Sequence, residues 1–205
     1  MIVNTELEQK GNLFPSQIIK FKKDVDTLYF YTENNVVLQL TVLRDSVLRF
    51  RYTTTGTFDN DFSYAITKYA STGYNKLEIV ENDEFYIIIT SKLRCEVSKK
   101  DARVSIYDAI TDELINQDEI GFHWEESYEF GGNIVKMSKT VNERESYFGL
   151  GDKPDHLNLK GKRFQNWVTD SYAFGKETDP IYKAIPFFTG LHHGKAYGIF
   201  FDNTF

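Results

Sequence analysis

A Trp, an Asn and a carboxylate lie close together in one polar segment of the sequence, residues 163–172. Asn166 and Trp167 are adjacent, Asp170 follows the Trp within the same segment, and Tyr172 comes shortly after the Asp. Sites that bind sugars combine such groups, because an apolar sugar face packs on an aromatic ring while its hydroxyls need charged acceptors. An Asp in such a segment can also cap a turn with its own backbone. The residues alone leave both roles open for Asp170.

The histidines are interpreted as structural or solvent-exposed, although His is the usual acid or base near neutral pH. His192 and His193 come directly before a Gly in a predicted hairpin turn, where we expect both to be solvated. His123 lies in a predicted strand and is expected to be a packed or edge residue. His156 follows a Pro-Asp pair in a polar loop that offers no group to orient its ring, so it carries no catalytic assignment.

The acidic residues outside this segment show no paired arrangement. Glu125 and Glu126 are neighbours in a strand pattern, and neighbouring strand residues point to opposite faces of a sheet. Glu143 and Glu145 are expected at a strand end. We interpret all four as solvated surface charges and assign no catalytic acid/base pair.

The remaining motifs indicate scaffold. Cys95 is the single cysteine and alternates with apolar residues, so it is predicted to be a buried strand residue and not a nucleophile. No metal cluster is suggested, and no cofactor is expected. Gly149 and Gly151 do not form a phosphate-binding loop, because Pro154 interrupts any helix that would follow them. We expect these glycines to allow a tight exit from a strand.

The composition argues against several classes of partner. The 205 residues carry a net charge of -6, which provides no basic surface for a nucleic-acid backbone. No apolar run approaches the roughly 20 residues that a membrane-spanning helix needs. Residues 1–10 lack the pattern of a secretory signal, so a cytoplasmic location is favoured. We therefore expect neither a nucleic-acid partner nor a membrane partner.

Period-2 alternation of apolar residues dominates the pattern, and aromatic residues make up 16% of the chain. Every second residue from Val36 to Val42 shares one face of a predicted strand, and Phe85, Ile87 and Ile89 share a face of another. Roughly a dozen short strands with turn signals about every 8–12 residues predict an all-β fold, a large antiparallel β-sandwich.

The C-terminal third carries several motifs in a specific order. They are residues 147–153 (YFGLGDK), 166–170 (NWVTD), 179–183 (DPIYK), 185–188 (IPFF) and 197–204 (YGIFFDNT). This set closely resembles the N-terminal domain of glycoside hydrolase family 31, the α-glucosidase and α-xylosidase family. Upstream of these motifs only the strand pattern agrees, and Asp152 stands where the family usually has Glu.

The resemblance implies a supersandwich of the galactose-mutarotase-like type, packed against a (β/α)₈ barrel. In the family both catalytic Asp residues lie on that barrel, so no residue of this chain is assigned a catalytic role. We expect residues 1–205 to form a single N-terminal sandwich domain that ends before the barrel and lacks its last strands. An incomplete edge is expected near residues 196–201, where unpaired backbone groups favour self-association with a second chain.

The resemblance also suggests a role for Asp170. The matching Asp of the family projects on a loop to the rim of the barrel's active site and can contact substrate. Asn166 and Trp167 are expected to shape this loop, and Tyr172 is expected on the aglycone side.

These residues lead to two hypotheses of function. The first is the non-catalytic domain of a retaining α-glycosidase, with an α-linked glucoside or oligosaccharide as substrate and its own catalytic barrel as partner. The alternative is a stand-alone carbohydrate-binding module or a mutarotase-like aldose epimerase.

Overall fold

A computed structural model describes residues 11–202 apart from 68–73, 75, 128 and 130. Within this part of the chain the regular structure consists of 13 β-strands without an α-helix. The described residues accordingly include no helix of the length and apolarity needed to cross a membrane. The chain divides into two compact units, one with the described residues up to Phe62 and from Ile66 to Thr140, the other with Ser63–Ala65 and the described residues from Val141.

The first unit begins with a four-stranded antiparallel sheet in which each strand pairs with the next along the chain. Its strands are β1 (Ile18–Asp24), β2 (Thr27–Thr32), β3 (Val37–Arg44) and β4 (Val47–Thr53). Period-2 geometry turns Leu38, Leu40 and Val42 of β3 to one face, and all three are buried together with Leu28 and Phe30 of β2. The predicted core face of β3 is confirmed.

A second antiparallel sheet of the same unit contains six strands, again paired in chain order. They are β5 (Glu78–Glu81), β6 (Phe85–Ile89), β7 (Leu93–Ser98), β8 (Val104–Asp108), β9 (Leu114–Ser127) and β10 (Gly132–Lys139). Buried residues of this sheet, among them Ile88, Cys95 and Val97, form one hydrophobic cluster with the buried face of the first sheet. Two sheets that share a core make a β-sandwich, so the predicted fold class is confirmed.

A smaller apolar cluster lies between β4 and β9. Phe122 and Trp124 are buried there, and the ring of Tyr52 stacks on Phe122 with 4.3 Å between the ring centroids. His123, between them in sequence, is buried, and its Nδ1 lies 3.0 Å from the carbonyl oxygen of Gly121. The prediction that His123 is a packed strand residue is confirmed.

The second unit contains a three-stranded antiparallel sheet in the order β11, β12, β13. These strands are β11 (Ser146–Gly151), β12 (Ala184–His192) and β13 (Lys195–Phe200). In the described part of the chain β13 pairs only with β12, and self-association through its outer side stays a prediction.

Two glycines let the end of β11 approach β12 closely. Gly149 and Gly151 have φ angles of 122° and 87°, a region that side chains disfavour. A Cβ atom would lie 2.7 Å from the carbonyl oxygen of Phe187 at the first position and 2.4 Å from that of Lys183 at the second. The predicted glycine-dependent strand exit is confirmed.

Candidate functional site

A long loop, residues 152–183, joins the end of β11 to the start of β12 and carries all four predicted site residues. Asn166, Trp167, Asp170 and Tyr172 are all exposed, and the exposed fractions of Trp167 and Tyr172 are 59% and 96%. Both rings are therefore accessible to a ligand or to another protein surface.

The first part of this loop lies beside the beginning of β12. Asn166, Trp167 and Val168 line a shallow surface pocket of about 310 Å³ together with Ala184 and Pro186. The wall is mainly apolar, and Asn166 contributes a side-chain amide to the lining. The structure thus brings Asn166 and Trp167 together at one pocket, whereas Asp170 and Tyr172 lie further along the loop.

The carboxylate of Asp170 accepts none of the hydrogen bonds found within the described part of the chain, and its side chain is exposed. The backbone around it is bonded through its neighbours. The N–H of Thr169 donates to the carbonyl of Ile181 over 3.2 Å, and Oγ of Ser171 donates to the carbonyl of Pro180 over 3.3 Å. Of the two roles that the sequence leaves open, turn capping by the Asp170 carboxylate is not observed.

The base of the loop is held by an ion pair that the sequence analysis did not identify. Lys153 Nζ lies 2.6 Å from Oδ1 of Asp179 and donates a second hydrogen bond, 2.8 Å long, to the carbonyl oxygen of Gln165. The N–H of Gln165 donates to Oδ2 of Asp179 over 2.5 Å. Both backbone groups of the residue just before Asn166 are therefore bound by one ion pair.

A second cluster of ionisable groups lies within the three-stranded sheet. Glu145, which we predicted to be a solvated surface charge, is only 2% exposed, so that prediction is wrong. Its Oε1 accepts a hydrogen bond of 2.5 Å from the hydroxyl of Tyr197, and its Oε2 accepts one of 2.9 Å from the N–H of Asn142. These donors replace water around the carboxylate, which explains how a charged residue is accommodated there.

His192 corrects a second prediction. It ends β12 and is buried, although we expected both histidines of this turn to be solvated. His192 is buried because it is the last residue of β12, where its ring lies near that of Tyr197 with 6.1 Å between the ring centroids. His193 has a φ of 48° in the turn itself and is exposed, as predicted.

The pKa values of this cluster follow from burial and hydrogen bonding. Burial raises the pKa of Glu145, but the bonds from Tyr197, the Asn142 N–H and Tyr147, together with the nearby His192, outweigh it and lower the pKa below its ordinary value. Burial and the bond to Glu145 raise the pKa of Tyr147 to about 12. The ionised carboxylate is therefore the form that the folded unit stabilises.

Because the Glu145 carboxylate itself is buried, we interpret its contacts with Tyr147 and Tyr197 as stabilising the sheet and assign them no catalytic role. Tyr147 and Tyr197 both lie opposite Gly190, one on each neighbouring strand, so their rings occupy one face of the sheet. Glu145 lies directly before β11, and its carboxylate is also hydrogen-bonded by Tyr147. Among the described residues, no group of three or more His, Cys, Asp and Glu is placed to hold a metal ion.

Comparison with known proteins decides the family. Residues 37–205 match the model of the glycosyl hydrolase 31 N-terminal galactose mutarotase-like domain. The chain belongs to this family. The resemblance noted in the C-terminal third is confirmed, and the match extends it upstream to the beginning of β3.

Two curated relatives of this glycosyl hydrolase 31 (GH31) N-terminal domain are α-glucosidases. Alpha-glucosidase 2 of Bacillus thermoamyloliquefaciens is 27% identical over 179 residues, which cover 86% of this chain and 22% of that protein. An alpha-glucosidase of Saccharolobus solfataricus is 38% identical over 73 residues, which cover 36% of this chain and 10% of that protein.

Solved structures of GH31 enzymes share the fold of this chain. A GH31 dextranase of Flavobacterium johnsoniae, complexed with isomaltotriose, has a TM-score of 0.81 and 28% identity over 94% of this chain and 23% of its own. A GH31 α-xylosidase of Xanthomonas citri has a TM-score of 0.64 at 17% identity over 82% of this chain and 18% of its own, which shows the fold alone. The chain thus spans less than a quarter of the length of each of these relatives.

Proposed function

We propose that this GH31 N-terminal domain is the non-catalytic part of a retaining α-glycosidase of the α-glucosidase type. In this proposal it packs against the catalytic barrel and contributes loop 152–183 to the rim of the active site. Retaining hydrolysis needs two carboxylates about 5–5.5 Å apart, and the family places both of them on the barrel. Asp170 acts at the rim as an acceptor for a substrate hydroxyl.

The observation that carries the proposal is the exposure of Asp170 on a loop whose backbone is fixed on either side of it. Its neighbours Thr169 and Ser171 hydrogen-bond to the returning leg of the loop, so the carboxylate is presented outward from a defined backbone position. Trp167 adds an exposed indole face in the same loop. A carboxylate acceptor and an aromatic face are the two groups that a glucosyl unit needs.

The substrate class is proposed from the relatives. The two curated relatives above are named α-glucosidases, and the dextranase structure contains isomaltotriose. An α-linked gluco-oligosaccharide is therefore the ligand we assign to the rim. The linkage that is cut depends on residues of the barrel.

The test is the substitution Asp170→Ala in the full-length glycosidase that carries this domain. Loss of one hydrogen bond to a charged acceptor, worth about 1.5–3 kcal/mol, should lower kcat/KM for an α-linked gluco-oligosaccharide about 10- to 150-fold. Glu177→Ala is the matched control, because Glu177 is an exposed carboxylate of the same loop, and it should leave kcat/KM unchanged. Equal kinetics of both variants and the unmodified enzyme would refute the rim role.

The domain alone should not hydrolyse glycosides. We expect no turnover of an α-glucoside by the isolated 205 residues, measured by the release of reducing sugar at high protein concentration. Sustained turnover that survives repurification would place catalytic carboxylates inside this chain and contradict the proposal.

A carbohydrate-binding module is the second candidate, and the pocket beside Trp167 favours it. Calorimetry of the isolated chain with glucose, maltose and xylose separates the two: millimolar or tighter binding favours the module. The epimerase alternative needs an accessible acid/base pair such as Glu with His. Glu145 and His192 interact electrostatically in the described part of the chain, but both are buried.

A further inference from the structure

Lys153 and Asp179 form an ion pair in loop 152–183, and little of either side chain is exposed to solvent. The side chain of Lys153 is 3% exposed and that of Asp179 is 18% exposed, with 2.6 Å between Nζ and Oδ1. A second ion pair at the same end of the loop, between Lys183 and Asp152, has exposed side chains and a distance of 3.6 Å. Burying a charge pair costs desolvation energy, and an apolar pair of similar volume would often be equally stable. The pair is therefore weak evidence for added stability.

The hydrogen bonds of the pair indicate a role in fixing the loop, because both charged groups also bind the backbone of Gln165. Lys153 Nζ donates to the carbonyl oxygen of Gln165 over 2.8 Å, and the N–H of Gln165 donates to Oδ2 of Asp179. Lys153 Nζ also lies 5.6 Å from the centroid of the Phe164 ring. The pair thus fixes the backbone directly before Asn166 in position and direction.

The opposite leg of the loop begins at Asp179 itself. The next two residues, Pro180 and Ile181, provide the carbonyl oxygens that bind Ser171 and Thr169. Asp179 therefore binds Gln165, the start of segment 165–171, and is followed directly by Pro180, which binds Ser171 at the end of that segment. A shift of Asp179 would move both ends of the segment that presents Asp170.

We propose that Lys153 and Asp179 are positioning residues that set the place of Asp170, an inference that rests on the proposed rim function. Neither side chain needs to touch substrate. The ion pair fixes Gln165 and the leg at residues 179–181, and these two anchors define the path of the backbone through Trp167 and Asp170. The charge pair selects one loop conformation instead of adding net stability.

The first test measures loop order in the isolated chain with groups that do not contact the pair. Lys153→Met should raise the exchange rate of the Thr169 amide, measured by NMR, roughly 10-fold, because the leg that carries its acceptor is no longer fixed. The chain has 2 Trp, so labelling with 5-fluorotryptophan gives two ¹⁹F resonances, and that of Trp167 should shift and broaden. Lys183→Met, which removes the exposed pair, is the control and should change neither quantity.

A double variant separates positioning from stability. Lys153→Met/Asp179→Leu replaces both charges by apolar groups, so its denaturation midpoint should recover towards that of the unmodified chain. Exchange at Thr169 should nevertheless stay roughly 10-fold faster, because the bonds to Gln165 are absent. Exchange as slow as in the unmodified chain would overturn the proposal. If Lys153→Met fails to fold, the double variant and Asp179→Asn provide the same readout.

The second test measures catalysis in the full-length glycosidase. Lys153→Met should lower kcat/KM for an α-linked gluco-oligosaccharide about 10-fold, mainly through KM, and Lys153→Arg should restore most of it. If Lys153→Met changes neither the Thr169 amide exchange rate nor the ¹⁹F spectrum, the positioning role is overturned. This conclusion does not depend on the kinetics of Asp170→Ala. Changed loop order together with normal kinetics of Asp170→Ala supports loop anchoring and refutes the proposed rim function.

Discussion

Tyr197→Phe tests how the second unit accommodates a buried carboxylate. The substitution removes one hydroxyl and leaves a ring of nearly the same shape. In the folded unit that hydroxyl donates a 2.5 Å hydrogen bond to Oε1 of Glu145, whose side chain is 2% exposed. Without it the carboxylate loses a donor that water cannot replace.

The magnitude follows from the charge on the acceptor. A hydrogen bond to a charged group contributes about 1.5–3 kcal/mol, against about 0.5–1.5 kcal/mol for a neutral one, and the short distance is typical of charge-assisted bonds. The remaining donors, the Asn142 N–H and Tyr147, limit the loss. We expect Tyr197→Phe to lower the free energy of unfolding by about 2 kcal/mol at pH 7. With a urea m-value of about 1–3 kcal/mol/M, the midpoint falls by roughly 1 M.

The pH dependence distinguishes a charge-assisted bond from ring packing. The pKa of Glu145 in the folded state is lowered from its ordinary value of 4.5. Its contribution to stability is therefore fully present above pH 4.5 and is lost as the pH falls through the folded-state pKa. In Tyr197→Phe that pKa rises, so the difference in stability between variant and unmodified chain should be largest at pH 7 and should shrink below pH 4.5.

The assay is urea denaturation at several pH values, followed by the ¹⁹F resonance of Trp167 in the second unit. Tyr182→Phe is the matched control, because its hydroxyl donates to a neutral acceptor, the carbonyl oxygen of Ser171, over 2.7 Å. Its effect should be about 0.5–1 kcal/mol at every pH. A loss in Tyr197→Phe that is equally independent of pH would refute the assignment of the lowered pKa to this hydrogen bond.

Two further predictions concern packing in each unit. Gly190→Ala should cost about 2–4 kcal/mol of unfolding free energy, since a Cβ there would lie 2.4 Å from the Tyr197 ring. Gly175→Ala, which meets nothing within 4 Å, should stay within about 0.5 kcal/mol in the same denaturation assay. An equal loss in both variants would contradict the steric argument. Cys95 is 1% exposed and burial raises its thiol pKa, so a thiol reagent should label it roughly 100-fold more slowly in the folded chain than in urea. Rapid labelling of the folded chain would contradict the burial of β7.

Much of the sandwich could be predicted because strand geometry turns a local pattern into a face. The alternation from Val36 to Val42 identifies a buried face correctly, because Gln39 and Thr41 between its members are polar and point to the other side. In β6 the same reasoning finds that Phe85, Ile87 and Ile89 share a face, but the core contains Tyr86 and Ile88 instead. A strand that is apolar on both faces contains no local signal for which one is buried.

The errors at Glu145 and His192 have a different physical origin. Carboxylates and imidazoles are usually exposed. Only the fold shows that Tyr197, fifty-two positions from Glu145, donates the hydrogen bond that offsets the cost of burying its carboxylate. Lys153 and Asp179 were missed for the same reason, because their contact joins two ends of an irregular loop twenty-six positions apart. A period-2 pattern indicates which residues of one strand share a face, but it contains no information about contacts between residues far apart in sequence.

The same separation explains why the sequence suggests Asp170 as a site residue but gives no signal for the residues that support its loop. An exposed residue that binds a ligand is marked by its chemistry, whereas a residue that fixes the backbone is marked by what it contacts. Lys153, Asp179 and the glycines at the end of β11 all act on the backbone at the two ends of loop 152–183. A loop that is ordered before binding loses less conformational entropy when a ligand is bound. Under the proposed function, the affinity for a sugar would therefore depend on these anchors as well as on Asp170. Substitutions at the anchors should therefore weaken substrate binding without removing any group that touches the sugar.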